Sequence, residues 1–178
     1  GGHKFTVTDK FNFASEQKIK IKMWSPRVGL KLNLKIEDEV PWPGVSATST
    51  VTGTSTVANE WEEIEFDFSG DSKLTADDWY NLVFIIDEGT QGDGTSNFTI
   101  YVDDITQVSS STSSVISDFE VDGSISGFDG GAQEVIDNPD TSGNSSDKVL
   151  KLVKNSGQVW GGHKFTVTDK FNFASEQK

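Results

Sequence analysis

Five tryptophans and twelve phenylalanines stand in a chain of 178 residues that carries 28 Asp and Glu against 15 Lys and Arg. An exposed, rigidly held indole offers a flat π face on which the C–H groups of a pyranose can stack. Four tryptophans have a setting for that. Trp24 falls on the polar parity of an alternating run, with Lys20 and Lys22. Trp42 stands in Val40-Pro41-Trp42-Pro43-Gly44, a loop that two prolines stiffen. Trp79 follows two aspartates, and Trp160 closes Gln158-Val159-Trp160 before two glycines. Trp61, beside the alternating run 64–68, is expected to pack, as most tryptophans do. Arg27 is the single arginine and follows Trp24 closely. Its planar fork of donors suits sugar hydroxyls, and a surface ion pair is its plainer use.

The carboxylates suggest a second chemistry. Asp103-Asp104 end the run Tyr101-Val102-Asp103-Asp104-Ile105, and Asp118-Phe119-Glu120 open the expected first strand. Pairing of the first and last strands brings Asp104 and Glu120 together. Two adjacent carboxylates repel unless a cation lies between them, and hard oxygen ligands suit Ca²⁺. The turn Asn144-Ser145-Ser146-Asp147 can add further oxygens, Asp147 among them. Ordinary solvated charge is the plainer reading. Paired acids also serve glycoside hydrolysis, but none here sits in a recognisable catalytic context.

Other chemistries are excluded or unsupported. With no cysteine there is no thiolate catalysis, disulfide or Cys-based zinc site. The net charge of −13 argues against nucleic acid and anionic membranes. No apolar run approaches the roughly 20 residues that cross a bilayer. His3 and His163 are copies of one position, and no nucleophile elbow, phosphate loop or zincin motif occurs. The chain is therefore expected not to be an enzyme.

The histidines point to the frame that must position these residues. Residues 1–18 and 161–178 both read GGHKFTVTDKFNFASEQK, identical at all 18 positions and 160 residues apart. Chance does not produce this, and an old duplication drifts. A window on a tandem array of near-identical modules fits, as does an engineered permutant. The opening Gly-Gly-His-Lys reads as a piece or mature form of a longer protein. Residues 107–114, QVSSSTSS, read as a Ser/Thr-rich flexible linker. It divides 1–106, the back part of a module, from 115–178, the front part. Both 18-residue copies suit one slot in a sheet. The other copy is expected to fray or to pair with a strand-swapped neighbour of the same sequence.

Strand signals dominate. Period-two alternation runs through 19–24, 30–37 and 64–68, and further strands are expected at 4–8, 82–86, 98–105 and 148–153. Clusters such as Asp129-Gly130-Gly131 and Ser142-Gly143-Asn144 separate the runs. No helix of three turns is expected. Short strands with polar turns give an all-β sandwich or jelly roll, here circularly shifted or strand-swapped.

Read as 115–178 followed by 19–106, the sequence resembles a known group. The segments are SDFEVDGSISGFDGGAQEVIDNPDTSGNSSDKVLKLVKNSGQVWGG, KIKMWSPRVGLKLNLKIE, VANEWEEIEFDFSG and LVFIIDEGTQGDGTSNFTIYVDDI. They resemble the jelly-roll carbohydrate-binding modules of secreted glycan-binding proteins and laminarinase-type enzymes of marine Bacteroidetes. The combination of an early Phe-Glu, an Asn-Pro-Asp-x-Ser-Gly before a strand and a closing Asp-Asp-Ile carries the likeness. It implies a two-sheet β-sandwich, secreted or on the cell surface, that binds a polysaccharide such as the β-1,3-glucan laminarin without cleaving it. It also implies a structural calcium with Glu120 and Asp104 among its ligands. The alternative expectation is a calcium-stiffened structural or adhesive repeat with no sugar ligand.

Overall fold

A computed structural model describes residues 16–38, 48–71, 79–108, 113–120 and 125–166. These residues form eleven strands: β1 (Lys18–Ser25), β2 (Lys31–Asp38), β3 (Thr48–Thr54), β4 (Glu60–Asp67), β5 (Trp79–Ile86), β6 (Thr99–Val108), β7 (Ser113–Ser117), β8 (Ile125–Phe128), β9 (Gly131–Asp137), β10 (Lys148–Lys154) and β11 (Gly162–Thr166). They build a two-sheet β-sandwich. One sheet has the order β4-β1-β6-β10-β9, with β7 added to β6, and the other has the order β3-β2-β5-β11-β8. Every pairing is antiparallel.

The alternation in the sequence decides the faces. β1 places Ile19, Ile21 and Met23 in the core and turns Lys18, Lys20, Lys22 and Trp24 outward. The outward lysines meet acids of neighbouring strands: Lys18 with Glu65 (2.6 Å), Lys20 with Glu63 (2.7 Å) and Lys22 with Asp104 (2.8 Å). Leu32, Leu34 and Ile36 of β2, Phe66 of β4, Leu82, Phe84 and Ile86 of β5, and Leu150 and Leu152 of β10 complete the interior. Burial of these side chains, at roughly 1.5–3 kcal/mol each, holds the sheets together.

Residues 1–106 and 115–178 interleave. β6, from the first part, pairs with β10, and β5 pairs with β11. The slot in the second sheet is filled from the second copy of the repeat, since β11 is Gly162–Thr166 and lies between β5 and β8. The strand expected at 4–8 lies outside the described residues. The expected linker is partly sheet: Val108 pairs with Ser113 and Gln107 with Ser114. The first strand of the front part is Ser113–Ser117, so Asp118–Glu120 follow a strand and do not open one.

Five connections pass between the sheets at one end of the sandwich: 26–30, 55–59, 87–98, 129–130 and 155–161. Backbone bonds tie them together, among them Gly29 N to Ser55 O (2.9 Å), Asn59 N to Ser25 O (2.7 Å), Gly89 N to Val159 O (3.2 Å) and Asn155 N to Gly130 O (2.8 Å).

Candidate functional site

Trp160 stands on the last of these crossings. Gln158 N donates to Asp129 O (3.1 Å), Gly161 N donates to Gln158 O (2.9 Å), and Gln91 Nε2 donates to Gly157 O (3.0 Å). Gly157 and Gly161 both lie so close to the Asp129 carbonyl that a Cβ on either would collide with it. Glycine at both positions lets the backbones approach. The loop thus holds the Trp160 ring half exposed, at 50 %, beside Val159 at 38 %. Its indole Nε1 donates to Asp129 Oδ2 at 3.1 Å. The junction is pinned from below by Lys154. This buried lysine donates to the carbonyls of Ile86 (2.6 Å), Val159 (2.9 Å) and Asp87 (3.2 Å). Burial pulls its ammonium below the usual lysine value, while Asp87 and Glu88 pull it back up.

Arg27 lies at the same end. Its guanidinium pairs with Asp87, Nε donates to Asn97 O (3.4 Å), and the Phe98 ring centroid is 6.0 Å away. Asp87 also takes the Lys31 N–H (3.0 Å). The arginine therefore braces two crossings, which is the plainer of its two expected uses.

Trp24 is on the outward face of its strand, but that face is covered. It pairs across the sheet with Trp61 on one side and Tyr101 on the other, with the Tyr101 ring 5.2 Å away and tilted by 60°. The loop 138–147 runs back over this row. Asn144 reaches Asp103 on β6, and Asp140 O accepts the Trp61 indole N–H at 2.7 Å on β4. β1 lies between those two strands. Trp24 and Trp61 are half-buried, and Trp24 Nε1 is buried without a partner. Trp42 lies outside the described residues. Of Trp79 the backbone alone is described, paired with Asp38 at the end of β5 away from the crossings. The five expected sugar residues are thus not gathered in one place: Trp160, Arg27 and Trp24 are near the crossing end, and Trp79 starts β5 at the other.

The expected metal trio is also rearranged. Asp104 sits in a β-bulge with φ 45°, and its carboxylate goes to Lys22. Such a bulge re-aims side chains, and here it lets Val102 and Ile105 both face the core while Asp103 and Asp104 stay on the outer face. Asp103 is fully buried. Its Oδ2 accepts from Asn144 Nδ2 (2.7 Å), and its Oδ1 has no partner. Burial pushes the Asp103 carboxyl upward, and hydrogen bonds from Asn144 and Ser146 hold it down. Glu120 Oε1 accepts the N–H groups of Asp147 (2.9 Å) and Lys148 (3.3 Å). Asp147 thus enters through its backbone. Among the described residues no three acids or histidines converge. Asp103 and Glu120 each bond the 144–147 turn, Asp103 through Asn144 and Glu120 through the Asp147 N–H. Carboxylate oxygens of this kind are the hard donors that Ca²⁺ takes, and Asp103, unlike Asp104, has one left without a partner.

No family model, curated protein or solved structure matches the chain.

Proposed function

We propose that the chain is a non-catalytic carbohydrate-binding module, secreted or at the cell surface, that takes a polysaccharide such as the β-1,3-glucan laminarin. The observation that carries this reading is the half-exposed Trp160 ring, fixed at the corner of the sandwich by its bond to Asp129. A ring held in one orientation stacks on a sugar with little ordering cost. Asp129, Gln91 and Asn155 belong to the same three connections and supply polar groups for hydroxyls. In this reading a calcium held by Asp103 and Glu120 stiffens the 144–147 turn against β6. Calorimetric titration with laminarin tests the proposal. Heat that disappears in Trp160→Ala supports it, and silence in the parent chain overturns it.

A second reading rests on a different observation. Trp24 and Trp61 are half-buried, and Trp61 is bonded into the fold. Together with the perfect repeat, this suits a structural or adhesive module whose aromatics pack. That reading expects no glucan heat and a melting temperature that falls when calcium is chelated.

A further inference from the structure

The slot between β5 and β8 is shaped for GGHKFT. His163 and Phe165 are fully buried in it, Phe165 meets Phe119 edge-on with ring centroids 6.5 Å apart, and Lys164 Nζ donates to Glu37 (3.0 Å). Residues 1–6 are the same six amino acids. The fold draws the start of the repeat from the second copy and its end from the first: Gln107 Nε2 donates to Glu16 O (2.8 Å), Phe68 N donates to Gln17 O (2.8 Å), and Lys18 opens β1. The two places are close in the topology. Thr166 lies opposite Asn81 and Lys18 lies opposite Val108, both at the end away from the five crossings. Nine residues, 7–15, link Thr6 to Glu16. Extended, they reach up to about 30 Å. Packed sheets are about 10 Å apart.

We propose that this slot is a strand-acceptor site that takes Gly1–Thr6 of the same chain in place of Gly161–Thr166. The strand's side chains are the same in the two closures. What differs is the covalent link, through 155–161 to β10 in one and through 7–15 to β1 in the other. Loop-closure entropy separates links of this length weakly. When the first copy occupies the slot, the second is released as a free strand that matches the slot of every other molecule of this protein.

Refolding full-length variants from denaturant tests the proposal. Phe165→Asp places a charge in a fully buried position, so a slot that accepts the second copy alone must fail. The expected result is a Phe165→Asp monomer that keeps cooperative thermal unfolding, which is lost in the Phe5→Asp/Phe165→Asp double variant. Equal loss in the single and double variants overturns the proposal. So does a Phe165→Asp protein that folds only as a dimer, because the strand then comes from a second copy. The absence of native cysteine permits a further check. Lys164 faces Val83 across β5 and β11. Lys164→Cys/Val83→Cys should form an intramolecular disulfide, and so should Lys4→Cys/Val83→Cys. Its absence in the latter pair overturns the proposal.

Discussion

The indole N–H of Trp160 and the carboxylate of Asp129 form a hydrogen bond, 3.1 Å long, between two separate crossings of the sandwich. Trp160 belongs to the connection from β10 to β11, and Asp129 to the turn between β8 and β9. The ring's orientation is therefore set by two pieces of chain. Replacing Trp160 with Ala should abolish laminarin heat in calorimetry and leave the melting temperature close to the parent's, because half of the residue is already in water. Asp129→Ala should keep the ring but free its torsion, weakening binding by about 0.5–1.5 kcal/mol through the cost of ordering it.

Lys154→Met should act from beneath the same loop. It removes the donor shared by Ile86, Asp87 and Val159 while preserving most of the aliphatic volume. An orphaned buried carbonyl costs about 1–3 kcal/mol, so stability should fall by at least that much in denaturant titration. Glucan affinity should fall with it, because Val159 precedes Trp160.

Calcium dependence should follow Asp103 and not Asp104. With calcium present, Asp103→Asn should melt below the parent protein. With calcium chelated, the order should close up or reverse, since a buried carboxylate with an unpaired oxygen is itself destabilising. Asp104→Asn removes a half-exposed pair with Lys22, worth about 0–1 kcal/mol, and should leave the calcium response intact. A calcium response lost in Asp104→Asn and kept in Asp103→Asn would reverse the assignment.

His163 should make stability fall in mild acid. Burial first, and the Lys154 charge second, push its imidazole from 6.5 down to about 4. The native protein keeps the ring neutral, so between about pH 6.5 and 4 the unfolded chain binds the extra proton. The stability linked to this group is fully present above pH 6.5 and drains as the pH drops toward 4. The shift corresponds to roughly 3 kcal/mol at its limit. Denaturation midpoints across this range should show the slope, and replacing both His3 and His163 with Leu should flatten it. Both copies are changed because the proposed strand exchange would bring His3 into the same slot.

The strands that alternate were legible from their residues. Ile19, Ile21 and Met23 against Lys20, Lys22 and Trp24 give β1 its two faces, and Leu32, Leu34 and Ile36 do the same for β2. β3 was not legible. Its run TSTVTGT has a single aliphatic side chain, Val51, and is held by its register with β2. β8 and β9 escaped for a related reason: Asp129-Gly130-Gly131 reads as turn, and the glycines beside it, Gly127 and Gly131, pair with His163 of β11 and Lys154 of β10. At the site, sequence parity placed Trp24 outward correctly. What it could not show was the loop 138–147 lying across that face, because the contact between Trp61 and Asp140 spans 79 residues. Asp103 is buried in place of Asp104 because Asn144 of the same loop covers it, while the extra residue at the bulge holds Asp104 against Lys22.

The stitched corners have a mechanical meaning. Each crossing joins a strand of one sheet to a strand of the other, and Trp160 is fastened to two of them at once. Tension applied at that ring enters β10 and β11 through one corner and β8 and β9 through the other. Four strands in two sheets share the load. An edge strand pulled alone unzips one hydrogen bond at a time, whereas this anchorage spreads the force across both layers.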